Sequence, residues 1–195
     1  MGLHTGSGSN AIFLNVSRGK FRNKEKQIEA WAVTGKLAGI KFKADTFENQ
    51  PISKVEVIMK DVDETFIISF TEESYYALGF FSRLANEMLD ILKPFTLGVM
   101  ESEQNEKISF CYIKQGETKI TPQPDFPKPE KITTGGRGNA KTVTNWSKCQ
   151  ARYTVLVNEV QGILSAASPE KIEGTANKYS TQGTAQQEPD DDLPF

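Results

Sequence analysis

The first part of the chain alternates apolar residues with other residues at a period of two. Such alternation predicts β-strands that are half buried. Five segments between residues 11 and 71 show it, and together they predict a strand-rich body. Their apolar positions are Ile12, Leu14 and Val16; Ile28, Ala30 and Ala32; Ile40, Phe42 and Ala44; Val55, Val57 and Met59; and Phe66, Ile68 and Phe70.

The apolar spacing changes to three and four after Thr71, which predicts a helix. Thr71 can cap it, with two glutamates in the first turn, and Lys93-Pro94 can end it. Two strands are predicted next, Phe95 to Met100 and Ile108 to Lys114, with a hairpin loop between them. The buried face of the predicted helix consists of Ala77, Phe81, Leu84, Met88 and Ile91.

The last third of the chain changes character. Residues 122–129 contain four prolines and predict a stiff connector, and residues 133–145 are rich in Gly and Thr and predict a loose segment. A second helix is predicted to dock on the body or on a partner subunit. After Ser165 the composition predicts a disordered tail, because too little apolar surface is present to offset the ordering entropy. The apolar face of this helix is Trp146, Cys149, Tyr153, Leu156, Val160 and Ile163.

These elements predict a mainly β (α+β) protein with two helices. The domain organisation is a flexible leader (1–10), a body (11–121), a Pro/Gly-rich connector (122–145), a C-terminal helix (146–165) and a tail (166–195). The order of strands, one helix and two more strands resembles the OB-fold, a small barrel with a helix between strands. That resemblance rests on order alone, and at least one strand is additional.

The net charge of −2 hides an asymmetry along the chain. From Ala166 onward there are six acidic and two basic residues. Removing them from totals of 25 acidic and 23 basic residues leaves a body of about +2 and a tail of about −4. This division permits a polyanion ligand for the body, which the overall charge does not suggest.

The chain ends in three aspartates followed by an apolar residue, proline and phenylalanine: Asp190, Asp191, Asp192, Leu193, Pro194 and Phe195. This tip resembles the acidic C-terminus of bacterial and phage single-stranded DNA-binding proteins. The connector and second helix depart from the bacterial pattern and indicate a divergent form, of bacterial or phage origin.

The resemblance implies a protein that coats and protects single-stranded DNA in replication, recombination or repair, without catalysis or cofactor. The tip would recruit a polymerase, helicase or nuclease. The resemblance also implies a cytoplasmic location, in a bacterium or in the host of a phage, and leaves open a homo-oligomer. The only two cysteines fit a reducing compartment. An interaction adaptor, whose β domain binds protein while the tip docks on host replication factors, is the alternative.

Single-strand binding needs cations for phosphates and aromatic faces for bases. One segment places a basic residue at every second position with a phenylalanine among them, and further lysines alternate with core positions. Trp31 lies opposite the apolar positions of its strand, where it can stack on a base. The predicted DNA-binding residues are Arg18, Lys20, Phe21, Arg22, Lys24, Lys26, Trp31, Lys41, Lys43, Lys54 and Lys60.

Catalytic and metal sites find little support in the sequence. Gly135 to Thr142 approaches a phosphate-binding loop but has Ala140 where the second glycine belongs, so a basic linker is the better interpretation. The only histidine is His4, in the leader, which argues against a His-based triad or metal site. Asp61, Asp63 and Glu64 are interpreted as a turn between strands.

Overall fold

A computed structural model describes residues 11–135 and 140–167 of the chain. The predicted leader (1–10), residues 136–139 and the predicted tail from residue 168, which includes the tip, lie outside the described residues. The described part is mainly β with two helices, which confirms the predicted class. Its strands and helices are β1 (Ala11–Ser17), β2 (Lys20–Asn23), β3 (Ile28–Ala30), β4 (Ala32–Phe47), β5 (Gln50–Lys60), β6 (Thr65–Thr71), α1 (Tyr75–Leu84), β7 (Phe95–Glu101), β8 (Ser109–Gln115), β9 (Thr118–Ile120), β10 (Glu130–Thr134), β11 (Lys141–Asn145) and α2 (Ser147–Ala167).

Nine strands form one mixed sheet in the order β3-β2-β1-β6-β5-β4-β7-β8-β9. Every neighbouring pair is antiparallel except β1 and β6, which run parallel with Ile12 opposite Phe66. Each predicted segment lies in strand structure, but the second is divided at Trp31 between β3 and β4. The first and fifth lie side by side. Alternation identifies a strand without identifying its partner, so the sequence could not predict this pairing.

The sheet is strongly bent, because β3 and β4 are separated by the single residue Trp31 and yet lie five places apart in the strand order. A β-bulge at Ala38, between Leu37 and Gly39, adds to the curvature of β4. The described residues show an open strand order and no closed barrel. The sequence predicted an OB-like barrel, but the described residues form a large curved sheet instead.

Helix α1 is shorter than predicted. Ser74 caps it by accepting a hydrogen bond from the backbone N–H of Ala77 at 3.1 Å, so both predicted first-turn glutamates precede the helix. Asn86 and Asp90 then accept backbone hydrogen bonds two residues onward and turn the chain, which ends helical structure well before Pro94. Met88 consequently lies 63% exposed instead of in the predicted buried face.

The segment predicted to be loose contains a hairpin. Strands β10 and β11 pair with each other and form a separate two-stranded sheet. Thr142, Val143 and Thr144 favour strand over helix, which explains the outcome. Helix α2 follows directly and packs on α1 and β4, with Gln161 donating a hydrogen bond to the carbonyl of Ile40 at 3.0 Å.

The hydrophobic core lies between the concave side of the sheet and the two helices. Tyr153 of α2 stacks on Phe81 of α1 at 4.2 Å between ring centroids, and Phe81 in turn stacks on Phe42 of β4. Most of the predicted α2 face is buried here, but Ile163 is 45% exposed, while the neighbouring Leu164 packs against the core. Neither helix is both long and apolar enough to cross a bilayer.

Candidate nucleic-acid interface

One face of the sheet, directed away from α1, carries most of the predicted binding residues. Strand register aligns Arg22, Asn15, Ser69, Glu56 and Lys41 in one row across five neighbouring strands. A parallel row places Lys43 and Lys54 opposite each other. We call this surface the outer face.

A groove of about 690 Å³ crosses the outer face. Its floor comes from β1, and its sides come from the β2–β3 turn and from the paired ends of β4 and β5. A smaller pocket of about 130 Å³ adjoins it and shares Phe13, Asn15 and Lys54 with it. We call the two together the outer groove, whose principal side chains are Phe13, Asn15, Ser17, Arg22, Lys24, Lys26, Lys43, Phe47 and Lys54.

Two phenylalanines in the outer groove are exposed to solvent. Phe13 is 54% and Phe47 62% exposed, although phenylalanine is usually buried. Sequence analysis missed both of them. The signal for Phe13 was present, because it lies out of phase with Ile12 and Leu14 in the same way that Trp31 lies out of phase with its neighbours. Phe47 stands just before the β4–β5 turn, where alternation gives no indication.

Positive charge predominates in the outer groove. Its lining contains five cations and three carboxylates, which gives a net charge of about +2. The turn residues Lys24 and Lys26 are both exposed, and Asn23 holds this turn by donating to the carbonyl of Phe13 and accepting from the backbone N–H of Lys26. The groove therefore offers cations beside exposed aromatic rings.

The lysines of β4 and β5 are held by carboxylates. Lys41 and Lys43 lie 2.9 and 3.2 Å from the carboxylate of Glu56, which is only 5% exposed, and Lys54 lies 2.6 Å from Asp45. Burial raises the pKa of Glu56, but hydrogen bonds and charge from the two lysines outweigh it and leave that pKa below its ordinary value. Both lysines are thus held in place, and part of their charge is already balanced.

Strand β2 presents a second ion cluster. Lys20 lies 2.6 Å and Arg22 3.3 Å from the carboxylate of Glu29, and the hydrogen bond from Lys20 lowers the pKa of that carboxyl. Trp31 is 58% exposed, as its position in the alternation predicted, and the ammonium of Lys20 lies 5.0 Å from its ring centre. This distance is in the range of a cation–π contact.

The predicted basic series from residue 18 to residue 26 does not form one continuous row. Turns at Arg18-Gly19 and at residues 24–27, with positive φ at Arg18 (48°) and Gln27 (53°), leave only Lys20 and Arg22 as strand residues. The structure does not fit the prediction that Phe21 binds DNA beside these cations. Its ring is fully buried against Tyr76 because alternation within β2 directs it into the core.

Two other predicted residues lie away from the outer groove. Arg18 lines a separate cleft near the start of α1, together with Tyr75 and Lys107. Lys60 is exposed at the far end of β5, six residues from Lys54, which corresponds to roughly 20 Å along a strand. The structure therefore gathers Arg22, Lys24, Lys26, Lys43 and Lys54, with Lys41, Lys20 and Trp31 beside them.

The acidic residues between β5 and β6 form a turn, as predicted. Asp61 and Glu64 close a tight turn, with the N–H of Asp61 donating to the carbonyl of Glu64 at 3.0 Å. No cluster of three or more potential metal ligands occurs in the part of the chain that the structure describes. Burial raises the pKa of the Cys111 thiol to about 12, so this cysteine is a poor nucleophile.

Comparisons with protein-family models, with curated proteins and with solved structures find no match to this chain.

Proposed function

We propose that this protein binds single-stranded DNA along the outer groove, without catalysing a reaction. The observation that carries the proposal is the combination of exposed Phe13 and Phe47 with the surrounding cations in one groove. A strand that binds regardless of sequence needs a positive path for phosphates and π-faces for bases. The outer groove supplies both within one curved sheet, which is also the kind of surface that OB-like proteins present.

Because Lys43 and Lys54 are already paired with carboxylates, a phosphate must displace a carboxylate in order to bind either lysine. A phosphate that approaches Lys54 competes with Asp45, and one that approaches Lys43 competes with Glu56. Binding then gains less per lysine than with unpaired cations, while the carboxylates hold the side chains in position beforehand. Lys24 and Lys26 lie within 4 Å of no carboxylate among the described residues, so they contribute most of the long-range attraction.

The acidic tip supports the second half of the proposal. We infer that Asp190 to Phe195 recruit replication or repair proteins, with the phenylalanine ring as an anchor in a partner's pocket and the aspartates attracting a basic rim. The tip lies outside the described residues, so this inference rests on the sequence motif. The protein would coat the strand with its sheet and present the tip to its partners.

The test is a fluorescence-anisotropy titration of labelled poly-dT and of a duplex of the same length, each at several salt concentrations. We expect tight binding to the single strand, weaker binding to the duplex, and an affinity that falls steeply as salt rises. The triple variant Arg22→Ala, Lys24→Ala, Lys26→Ala should flatten the salt dependence. Equal affinity for both DNA forms would overturn the proposal.

An interaction adaptor is the competing function, and the paired lysines favour it, because a surface already balanced by Asp45, Glu56 and Glu29 suits a protein partner. The same titration separates the two functions. An adaptor would bind poly-dT weakly and with little salt dependence, whereas its capture of a protein would still require Phe13 and Phe47.

A further inference from the structure

The hairpin of β10 and β11 is largely exposed to solvent. Every residue of β10 is exposed, and β11 is exposed or half-buried throughout. Among the strands that the structure describes, β10 and β11 pair only with each other. An isolated two-stranded hairpin is only marginally stable in water. A binding partner would stabilise an exposed hairpin of this kind. We call this hairpin, with Lys128 before it, the arm.

The arm is basic. Lys128, Lys131 and Lys141 are all exposed and lie within 4 Å of no carboxylate among the residues described, whereas Glu130 is occupied by Lys148 at 2.6 Å. Strand alternation places Lys131 and Lys141 on opposite faces of the hairpin. Unlike Lys43 and Lys54 of the outer groove, which are paired with carboxylates, these lysines carry their full charge to solvent, and a polyanion can contact either face.

Aromatic side chains lie at the root of the arm. β11 leads directly into Trp146, whose ring lies 5.7 Å from that of Tyr75, and Tyr75 lies 6.2 Å from Phe110. Trp146 is buried, but Tyr75 and Phe110 remain 42% and 38% exposed. Exposed aromatic rings at the root of an arm that carries unpaired cations repeat the chemistry of the outer groove on another part of the molecule.

We propose that the arm and its root, Tyr75 and Phe110, are a second contact region for the same single-stranded DNA. Charge complementarity selects this ligand: three cations without paired carboxylates suit a polyanion, and exposed rings suit unstacked bases. This inference rests on the proposed function and extends it from one groove to two contact regions. A strand long enough to leave the outer groove would meet the arm, while a short one would not.

The experiment compares two charge-matched double variants of the full chain. Lys131→Ala with Lys141→Ala alters the arm. Lys114→Ala with Lys119→Ala is the control, because these two exposed lysines are cross-strand neighbours on β8 and β9 and their removal changes the net charge equally. Both variants and the wild type are titrated with oligo-dT of increasing length at several salt concentrations. Circular dichroism verifies that each variant is folded.

We expect the arm variant to bind long oligo-dT several-fold more weakly than the wild type, with short oligo-dT unaffected. Each phosphate contact on a single strand contributes about 0.7 to the slope of log affinity against log salt, so losing two should reduce it by roughly 1.4. The control should keep the wild-type slope. Replacing Tyr75 and Phe110 by leucine should reproduce the length-dependent loss without altering the slope.

Two results would overturn the arm proposal while leaving the outer groove intact. One is an arm variant indistinguishable from the control at every length while the Arg22, Lys24 and Lys26 variant loses affinity. The other is a change in molar mass by light scattering without a change in DNA binding, which would make the arm an interface between copies. If the groove variant also has no effect, the proposed function itself fails.

Discussion

At the scale of single residues, exposure separates rings that can stack on a base from rings that build the core. Phe13 and Phe21 lie on neighbouring strands, but alternation directs one into the outer groove and the other against Tyr76. The environment also determines the pKa of Glu56, because its carboxylate lies between Lys41 and Lys43, which lower that pKa. Two predictions follow from these positions.

Replacing Phe13 and Phe47 by alanine should weaken binding of poly-dT without unfolding the protein. Base–aromatic stacking contributes about 1–3 kcal/mol for each ring removed, so the double variant should lose at least tenfold in affinity. Anisotropy measures this loss, and thermal denaturation measures stability. Val62→Ala, which trims a 92% exposed side chain in a turn, is the control. Phe21→Ala should instead cost about 3–5 kcal/mol of stability. Unaltered affinity in the double variant would exclude the outer groove as the stacking surface.

Glu56 should make stability depend on pH in the acid range. Its pKa in the folded state is below the ordinary value of 4.5, so its contribution is complete above that pH and declines as pH falls through the folded pKa. Glu56→Gln lacks this titration. Urea denaturation between pH 7 and pH 3 should show the wild type losing stability more steeply than the variant below pH 4.5. Parallel curves would contradict the assignment.

At the scale of elements, period-two alternation identified the body strands, because one face of each is buried. The second helix was equally visible through Cys149 and Tyr153, both fully buried. Helix α1 was overextended, since Asn86 and Asp90 compete for backbone hydrogen bonds in a way that apolar spacing does not report. The β10–β11 hairpin was missed because its exposed strands carry no alternating apolar face. The outer groove depends on strand order, which the sequence did not reveal.

The docking of α2 should contribute strongly to stability. Tyr153→Ala removes a ring that stacks on Phe81 and lies 6.1 Å from Phe126, and large-to-small changes of this kind cost about 3–5 kcal/mol. Val155→Ala, two residues away on the 45% exposed side of the helix, should cost far less. Chemical denaturation compares the two. A small effect of Tyr153→Ala would show that α2 contributes little to the stability of the body.

At the scale of the whole molecule, charge is divided between a body of about +2 and a tail of about −4. Much of the positive charge of the body lies at two places, the outer groove and the arm. An acidic segment tethered to such a body raises the local concentration of a competitor for DNA, and the competition should be strongest at low salt, where screening is weak. Partner binding by the tip and DNA binding by the body should therefore be coupled.

Removing Asp190 to Phe195 should leave poly-dT affinity unchanged or raise it a few-fold, most visibly at low salt. The same truncation should abolish the capture of replication proteins from a bacterial extract, and Phe195→Ala alone should nearly do so because the anchor ring is lost. Anisotropy and a pull-down on the same truncated protein give both answers. A severe loss of DNA affinity would mean that the tip belongs to the DNA site. An unchanged pull-down would mean that partners bind elsewhere.

The parallel pairing of β1 with β6 has a consequence for the order of events in time. β1 precedes its partner strand β6 along the chain, and Phe66 follows its pairing partner Ile12 by 54 residues. The hairpin of β1 and β2 can form early because its strands are close in sequence. The other edge of β1 stays unpaired until β6 is available. Contacts between residues this far apart slow folding, so refolding should take milliseconds to seconds. During that interval the uncovered edge of β1 is open to pairing with another chain.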